Sequence, residues 1–220
     1  MDTAIEILSH TMLMLAGQPL SWIEAFGFVT GALCVWAVAK QYSWNWPIGL
    51  VNNIAFFALF LGFGLYADAS LQVAFFALGI YGWVTWSRRG RVLGASVVPI
   101  RRAGRVEAIV GSVAAVLVTA GVAVALSTFT DSVVPWPDAF ILAFSLLATW
   151  GQARKILEQW WVWIAVDIVS IPLYAYKGLW LTALLYTGYL ALCAYGLRRW
   201  MREFRRQDAG TPVPRETVAA

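Results

Sequence analysis

Residues 160–174 read WWVWIAVDIVSIPLY, an apolar and aromatic run broken by one charge, Asp167, and one proline, Pro172. Extended to Lys177, the run approaches the roughly 20 mainly apolar residues that cross about 30 Å of hydrocarbon as a helix. Six further stretches of the same kind surround it, and the spans read 22–40, 47–65, 69–87, 106–129, 138–153, 160–177 and 179–199. Hydrophobic residues make up 60% of the 220 and charged residues 13%, a balance that excludes an ordinary water-soluble domain. The chain is read as an all-α membrane protein with seven transmembrane helices.

The rest of the composition fits that class. Cys34 and Cys193 both fall inside apolar stretches, so neither a disulfide framework nor a thiolate metal site is expected. The net charge of +4 does not point to nucleic acid, because most basic residues form two clusters flanking spans. One is Arg88, Arg89, Arg91, Arg101, Arg102 and Arg105; the other is Arg198, Arg199, Arg202, Arg205 and Arg206. The positive-inside rule puts both in the cytoplasm. Parity then places Asp2, Glu6, Glu24, Asp68, Asp131 and Asp138 outside and Lys40, Arg154 and Lys155 inside, with the amino terminus out and the carboxyl terminus in. Residues 1–20 lack a basic n-region, so they are expected to be retained as an extracytoplasmic or interfacial segment, read as a short helix; His10 is a solvated helix end. Residues 201–220 are read as a cytoplasmic tail, disordered from 207.

Sliding the sequence on itself by 114 positions (136 minus 22) aligns residues 22–86 with 136–200 without a gap. Trp22 pairs with Trp136, Trp36 with Trp150, Trp46 with Trp160 and Trp86 with Trp200, while Gly64-Leu65 meets Gly178-Leu179 and Tyr81-Gly82 meets Tyr195-Gly196. Chance alignment of apolar sequence matches Leu, Val and Ala readily but seldom superposes tryptophans. Three spans per repeat is an odd number, so one extra crossing gives both copies the same orientation. The domains are therefore a first three-helix repeat over 21–87, a basic cytoplasmic loop over 88–105, a linker helix over 106–129 and a second repeat over 136–200. This 3+1+3 arrangement of parallel repeats is SWEET-like, with a solute site expected between the repeats.

A carboxylate at mid-membrane costs at least about 2.5–3.5 kcal/mol on insertion scales, so Asp167 calls for a compensating role. Trp160, Trp163, Asp167 and Tyr174 lie at i, i+3, i+7 and i+14, on one helical face. Indole rings sandwich a flat heteroaromatic ring and attract a cation, and a carboxylate adds charge complementarity and an acceptor for ribose hydroxyls. That face suits a cationic nucleoside. The structural alternative is an interfacial tryptophan belt with Asp167 paired to a neighbouring helix. In the repeat, Asn53 aligns with Asp167 and Phe60 with Tyr174, so both halves present a polar group at one depth. Gln152, Asn53, Gln72 and Asn52 complete the candidate substrate-binding set, with helix capping or helix bridging as the alternative for the last two. Pro172 removes a backbone donor and is expected to kink or loosen its span.

NWPIGLVNNIAFFALF, GLYADASLQ followed by IYGWVTW, and WWVWIAVDIVSIPLY followed by GLWLTALLY are similar to the PnuC vitamin transporters over about residues 20–202. That resemblance implies inward facilitated diffusion of nicotinamide riboside, with thiamine, riboflavin or deoxynucleosides carried by relatives, and a homotrimer in a bacterial inner membrane. It also implies that Trp160, Trp163, Asp167 and Tyr174 hold the base, with Gln152, Asn53 and Gln72 near the ribose. A carboxylate suits cationic nicotinamide riboside or thiamine better than neutral riboflavin.

No phosphate-binding G-x-x-x-x-G-K-[ST] loop occurs, and no cofactor or metal is expected. Uniport by alternating access follows, with accumulation left to a cytoplasmic kinase that traps the vitamin on the way to NAD. A membrane-embedded enzyme is disfavoured because the single histidine lies outside the spans and no pair of intramembrane carboxylates exists. A scaffold subunit has no evident use for matched polar groups in the hydrocarbon.

Overall fold

Each apolar run becomes a helix and stops where the sequence can close it. The computed structural model describes residues 11–15, 18–62, 66–93, 98–130 and 132–209. Among these are seven helices: α1 (Trp22–Ala39), α2 (Asn45–Gly62), α3 (Tyr66–Leu93), α4 (Arg105–Phe129), α5 (Pro135–Ala153), α6 (Gln159–Tyr176) and α7 (Trp180–Asp208). Four contain stretches apolar and long enough to span by length and composition alone: Asn45–Gly62, Ala69–Arg88, Arg105–Phe129 and Trp180–Asp208. On α4, Val106, Ile109, Val110, Val113, Leu117 and Phe129 are exposed, the outward-facing apolar surface expected where the solvent is lipid.

Helix ends explain the connections. Pro135 opens α5 at a position where its missing N–H costs nothing. After α6, the Gly178 amide bonds the Ala175 carbonyl and the Leu179 amide bonds the Tyr174 carbonyl, a Schellman closure with Gly178 at φ +76°. Through Pro172, α6 stays continuous as a helix.

α1 packs on α2 and α2 on α3; α5 packs on α6 and α6 on α7. Across the two sets, α1 meets α7 and α3 meets α5, while α4 leans on α5. The two crossing contacts are the same contact under an exchange of residues n and n+114. The core lies at the end that carries the arginines: Val38, Trp46, Trp86, Ile100, Trp160 and Trp200 are all buried there. Equivalent atoms repeat in detail. Trp46 and Trp86 meet edge to face at 5.5 Å and 88°, Trp160 and Trp200 at 5.6 Å and 87°. Gly82 and Gly196 lie flat beneath Trp46 and Trp160, where any Cβ would strike the indole.

Three regions differ from the sequence expectation. Residues 11–21 hold two short antiparallel strands, β1 (Thr11–Leu15) and β2 (Gln18–Ser21), pairing Leu13 with Leu20 and Met14 with Pro19, in place of a short helix. Gly17 and Pro19 leave too little uninterrupted chain for a helix there. His10, Asp131, Gly64 and Leu65 lie outside the described residues. Next, α7 runs to Asp208, beyond the expected end at 199, because Trp200, Met201 and Phe204 still have the core to pack on. Finally, the stretch after α3 is not a free loop. Val98 and Ile100 are buried, and Arg101 pairs through its backbone N–H and C=O with Lys155 and Leu157. The Arg101 guanidinium grips Glu107 at 2.6 and 2.8 Å, and Glu107 raises the Arg101 pKa further.

Candidate functional site

Asp167 sits seven residues into α6 beyond Trp160, about 10 Å further from the core-bearing end at the helical rise of 1.5 Å per residue. It is 2% exposed, and its Oδ2 has no hydrogen-bond partner among the described residues. The Cys193 thiol of α7 lies beside it. One turn on, the Ser170 hydroxyl is fully buried and likewise without a partner. One carboxylate oxygen and one hydroxyl on one face, deep in a bundle, hold hydrogen-bonding capacity that the described residues do not use.

Aromatic rings continue the face away from the core. Tyr174 stacks on Tyr186 at 5.1 Å with planes 24° apart, and Tyr186 meets Tyr189 edge to face at 5.6 Å. The Tyr189 hydroxyl lies over Gly31 of α1, where an added Cβ would collide with it, so this row of tyrosines bridges from α6 and α7 to the other set of helices. Ser170, Tyr186 and Tyr189 are absent from the residues singled out by sequence. Tyr186 occupies the position equivalent to Gln72, so the repeat that put forward Gln72 already contained the clue.

The other candidates divide. Trp163 is half-buried against the core. Trp160 shares the Asp167 face but is 1% exposed, wedged between Trp200 and Gly196. Gln152, at the end of α5, donates to Asn45 Oδ1 at 3.4 Å, beside the core and not at the depth of Asp167. Asn52 donates to Thr30 Oγ1 at 2.6 Å and ties α2 to α1. Asn53 and Gln72 line a separate cavity of about 170 Å³ between α2 and α3, walled by Ile54, Phe57, Val73 and Phe76. Ligand pockets for drug-sized molecules run to about 300–1,000 Å³, so this cavity is too small for a whole vitamin as it stands. The structure thus sets Asp167 and Tyr174 along one face, packs Trp163 against the core with Trp160, and leaves Gln152, Asn52 and the Asn53–Gln72 pair elsewhere. No group of three or more His, Cys, Asp or Glu suited to a metal occurs among the described residues.

The model of the nicotinamide mononucleotide transporter family matches residues 21–202, nearly the whole helical region. The chain belongs to the PnuC family of vitamin transporters. It is 30% identical to the nicotinamide riboside transporter PnuC of Escherichia coli, over 92% of this chain and 95% of that one. It is also 30% identical to the riboflavin/roseoflavin transporter RibM of Streptomyces davaonensis, over 91% and 94%. A crystal structure of the vitamin B3 transporter PnuC shares the fold, with a TM-score of 0.66 at 24% identity, covering 84% of this chain and 83% of that one. Membership in the PnuC family makes the chain a membrane transporter for a small vitamin and not an enzyme. Overall identity does not choose the vitamin, since relatives carrying two different ones are equally similar.

Proposed function

We propose that this protein carries nicotinamide riboside into the cell by facilitated diffusion, and that Asp167 is the group that selects the cation. The observation behind this reading is the buried Asp167 carboxylate with Oδ2 unpartnered, on the same helical face as the Ser170 hydroxyl and the Tyr174 ring that stacks on Tyr186. A pyridinium riboside supplies what that face lacks: a positive, flat ring for the aromatics and hydroxyls for the oxygen acceptors. Trp163 is assigned to the base together with Tyr174. Trp160 acts from below by setting the position of α6. Asn53, Gln72 and Asn52 are assigned to the opposite wall, which approaches Asp167 only when the helix sets move, and Gln152, on α5 of the same set as Asp167, is assigned to the ribose. Thiamine, also cationic, is the second substrate this geometry favours. Neutral riboflavin and deoxynucleosides gain nothing from the charge.

The helices are read as a 3+1+3 arrangement of two parallel repeats, SWEET-like, with α4 as the linker; the reciprocal α1–α7 and α3–α5 contacts support it. Both arginine clusters face the cytoplasm of a bacterial cell across its inner membrane, with the amino terminus outside. The protein works as a homotrimer whose protomers each hold a path, and a cytoplasmic kinase traps the vitamin for NAD synthesis. Reconstitution into liposomes tests the transport mode. Nicotinamide riboside uptake should follow its own gradient and ignore imposed proton and sodium gradients; acceleration by either ion gradient rules out uniport.

A further inference from the structure

The turns that end α1 and α5 share a backbone conformation usually left to glycine. The Gln41 amide bonds Val38 O and the Tyr42 amide bonds Ala37 O, while the Lys155 amide bonds Gln152 O and the Ile156 amide bonds Gly151 O. Both are Schellman closures. The left-handed position that α6 fills with Gly178 is filled here by Gln41 at φ +64° and Lys155 at φ +56°. A side chain in that conformation is strained relative to glycine, because its Cβ crowds the following carbonyl oxygen. An outlier of this kind, occurring twice at equivalent positions, calls for a use of the two side chains.

They meet. Lys155 is 1% exposed, and its Nζ donates to Gln41 Oε1 at 2.9 Å. The same Nζ lies 3.5 Å from the ring centroid of Trp86 and 5.2 Å from that of Trp200. These indoles belong to different halves, and each donates to the opposite one: Trp86 Nε1 to Gln152 O at 3.2 Å, Trp200 Nε1 to Val38 O at 3.1 Å. The last helix of each half thus caps the first helix of the other, and the Lys155–Gln41 bond closes the centre. The nearby acids are engaged elsewhere. Glu107 is held by Arg101 and Arg154, and Glu158 Oε2 accepts the Ala103 amide. The cage around the Lys155 amine is made of two indoles and an amide, with no salt bridge to Glu107 or Glu158.

We propose that Lys155 and Gln41 form a latch that locks the arginine-bearing ends of the two halves together, and that this latch must part before a solute can leave the Asp167 region on that side. The second clause rests on the transport reading above; the first does not. Lys155 is a positioning residue, with no part in solute contact.

The test uses the thiol of Cys193, which is buried beside Asp167 and the core, in a Cys34→Ala background that removes the other cysteine. Lys155→Met removes the amine donor at nearly constant length. Lys155→Gly removes it while relieving the left-handed backbone. With the bond that joins the two halves gone, Cys193 labelling by a small maleimide in detergent should quicken roughly tenfold in both variants. The glycine variant should melt no lower than the parent, which separates the latch from simple unfolding. The double swap Gln41→Lys with Lys155→Gln exchanges two residues related by the repeat, so it should bring labelling back toward the parent rate. Unchanged labelling in folded Lys155→Gly, or a swap as fast as Lys155→Met, overturns the latch. In liposomes, nicotinamide riboside should bind Lys155→Gly with the parent affinity while its transport rate changes by several-fold. Faster labelling with no transport by any variant, the parent included, retains the latch and refutes the substrate assignment.

Discussion

Asp167 forms no ion pair among the described residues, so the selecting role proposed for its carboxylate can be tested by removing the charge alone. A charge-assisted hydrogen bond or ion pair in an enclosed site is worth about 1.5–3 kcal/mol. Asp167→Asn should therefore weaken nicotinamide riboside binding about tenfold or more by the same magnitude. Riboflavin binding, with no cation to lose, should stay within about twofold of the parent, well inside that range. Quenching of intrinsic tryptophan fluorescence during titration measures both, and equal losses for the two vitamins reject charge selection. A second residue-scale test concerns Gly82 and Gly196. Alanine at either forces a methyl into the face of Trp46 or Trp160, so each substitution should cost about 1–3 kcal/mol, seen as a lower melting temperature in detergent. The pair should cost alike, because the two sites are built alike.

At the scale of elements, the helices were legible because the length of an apolar run and the prolines and polar residues that bound it are local properties. The expected spans fall within the seven observed helices to within a few residues, except where tertiary packing extends an element. Trp200, Met201 and Phe204 prolong α7 only because the core, with Trp160 of α6 in it, is there to receive them, and a local reading has no access to that. The strap at Val98–Arg101 was hidden for the same reason: a run of arginines reads as solvated until its neighbours are known. Helical spacing put Trp160 on the face of Asp167 correctly but carried no information about depth, and depth is what makes Trp160 core. Lys155 gives this scale its prediction. Burial lowers the pKa of its ammonium, so the unfolded chain binds more protons than the folded one between that depressed value and about 10.4. Stability then rises with pH across the window. The melting temperature of the parent should climb relative to Lys155→Met as pH goes from 7 toward 10, and parallel curves would mean that Lys155 is not titrating in the fold.

For the molecule as a whole, the arrangement of bonds between the two helix sets decides what kind of conduit it is. The Trp86–Gln152, Trp200–Val38 and Lys155–Gln41 bonds all cross between the sets, and all lie at the arginine-bearing end. Asp167 lies beyond them and is buried, so on the proposed transport reading solute passes only if the helix sets separate. A closed waist that opens by separation has to return after each passage, and the return sets a rate. A solute on the far side that binds during the return shortens the wait, whereas an open pore has no return step to shorten. Liposomes preloaded with unlabelled nicotinamide riboside should therefore take up labelled vitamin several-fold faster at first than empty ones, an effect of the size expected when a conformational step limits turnover. Loosening the latch with Lys155→Gly should shrink that ratio, because the empty carrier then returns without help. Equal initial rates in loaded and empty liposomes, for a parent protein that binds and transports the vitamin, would mean that the two helix sets do not alternate.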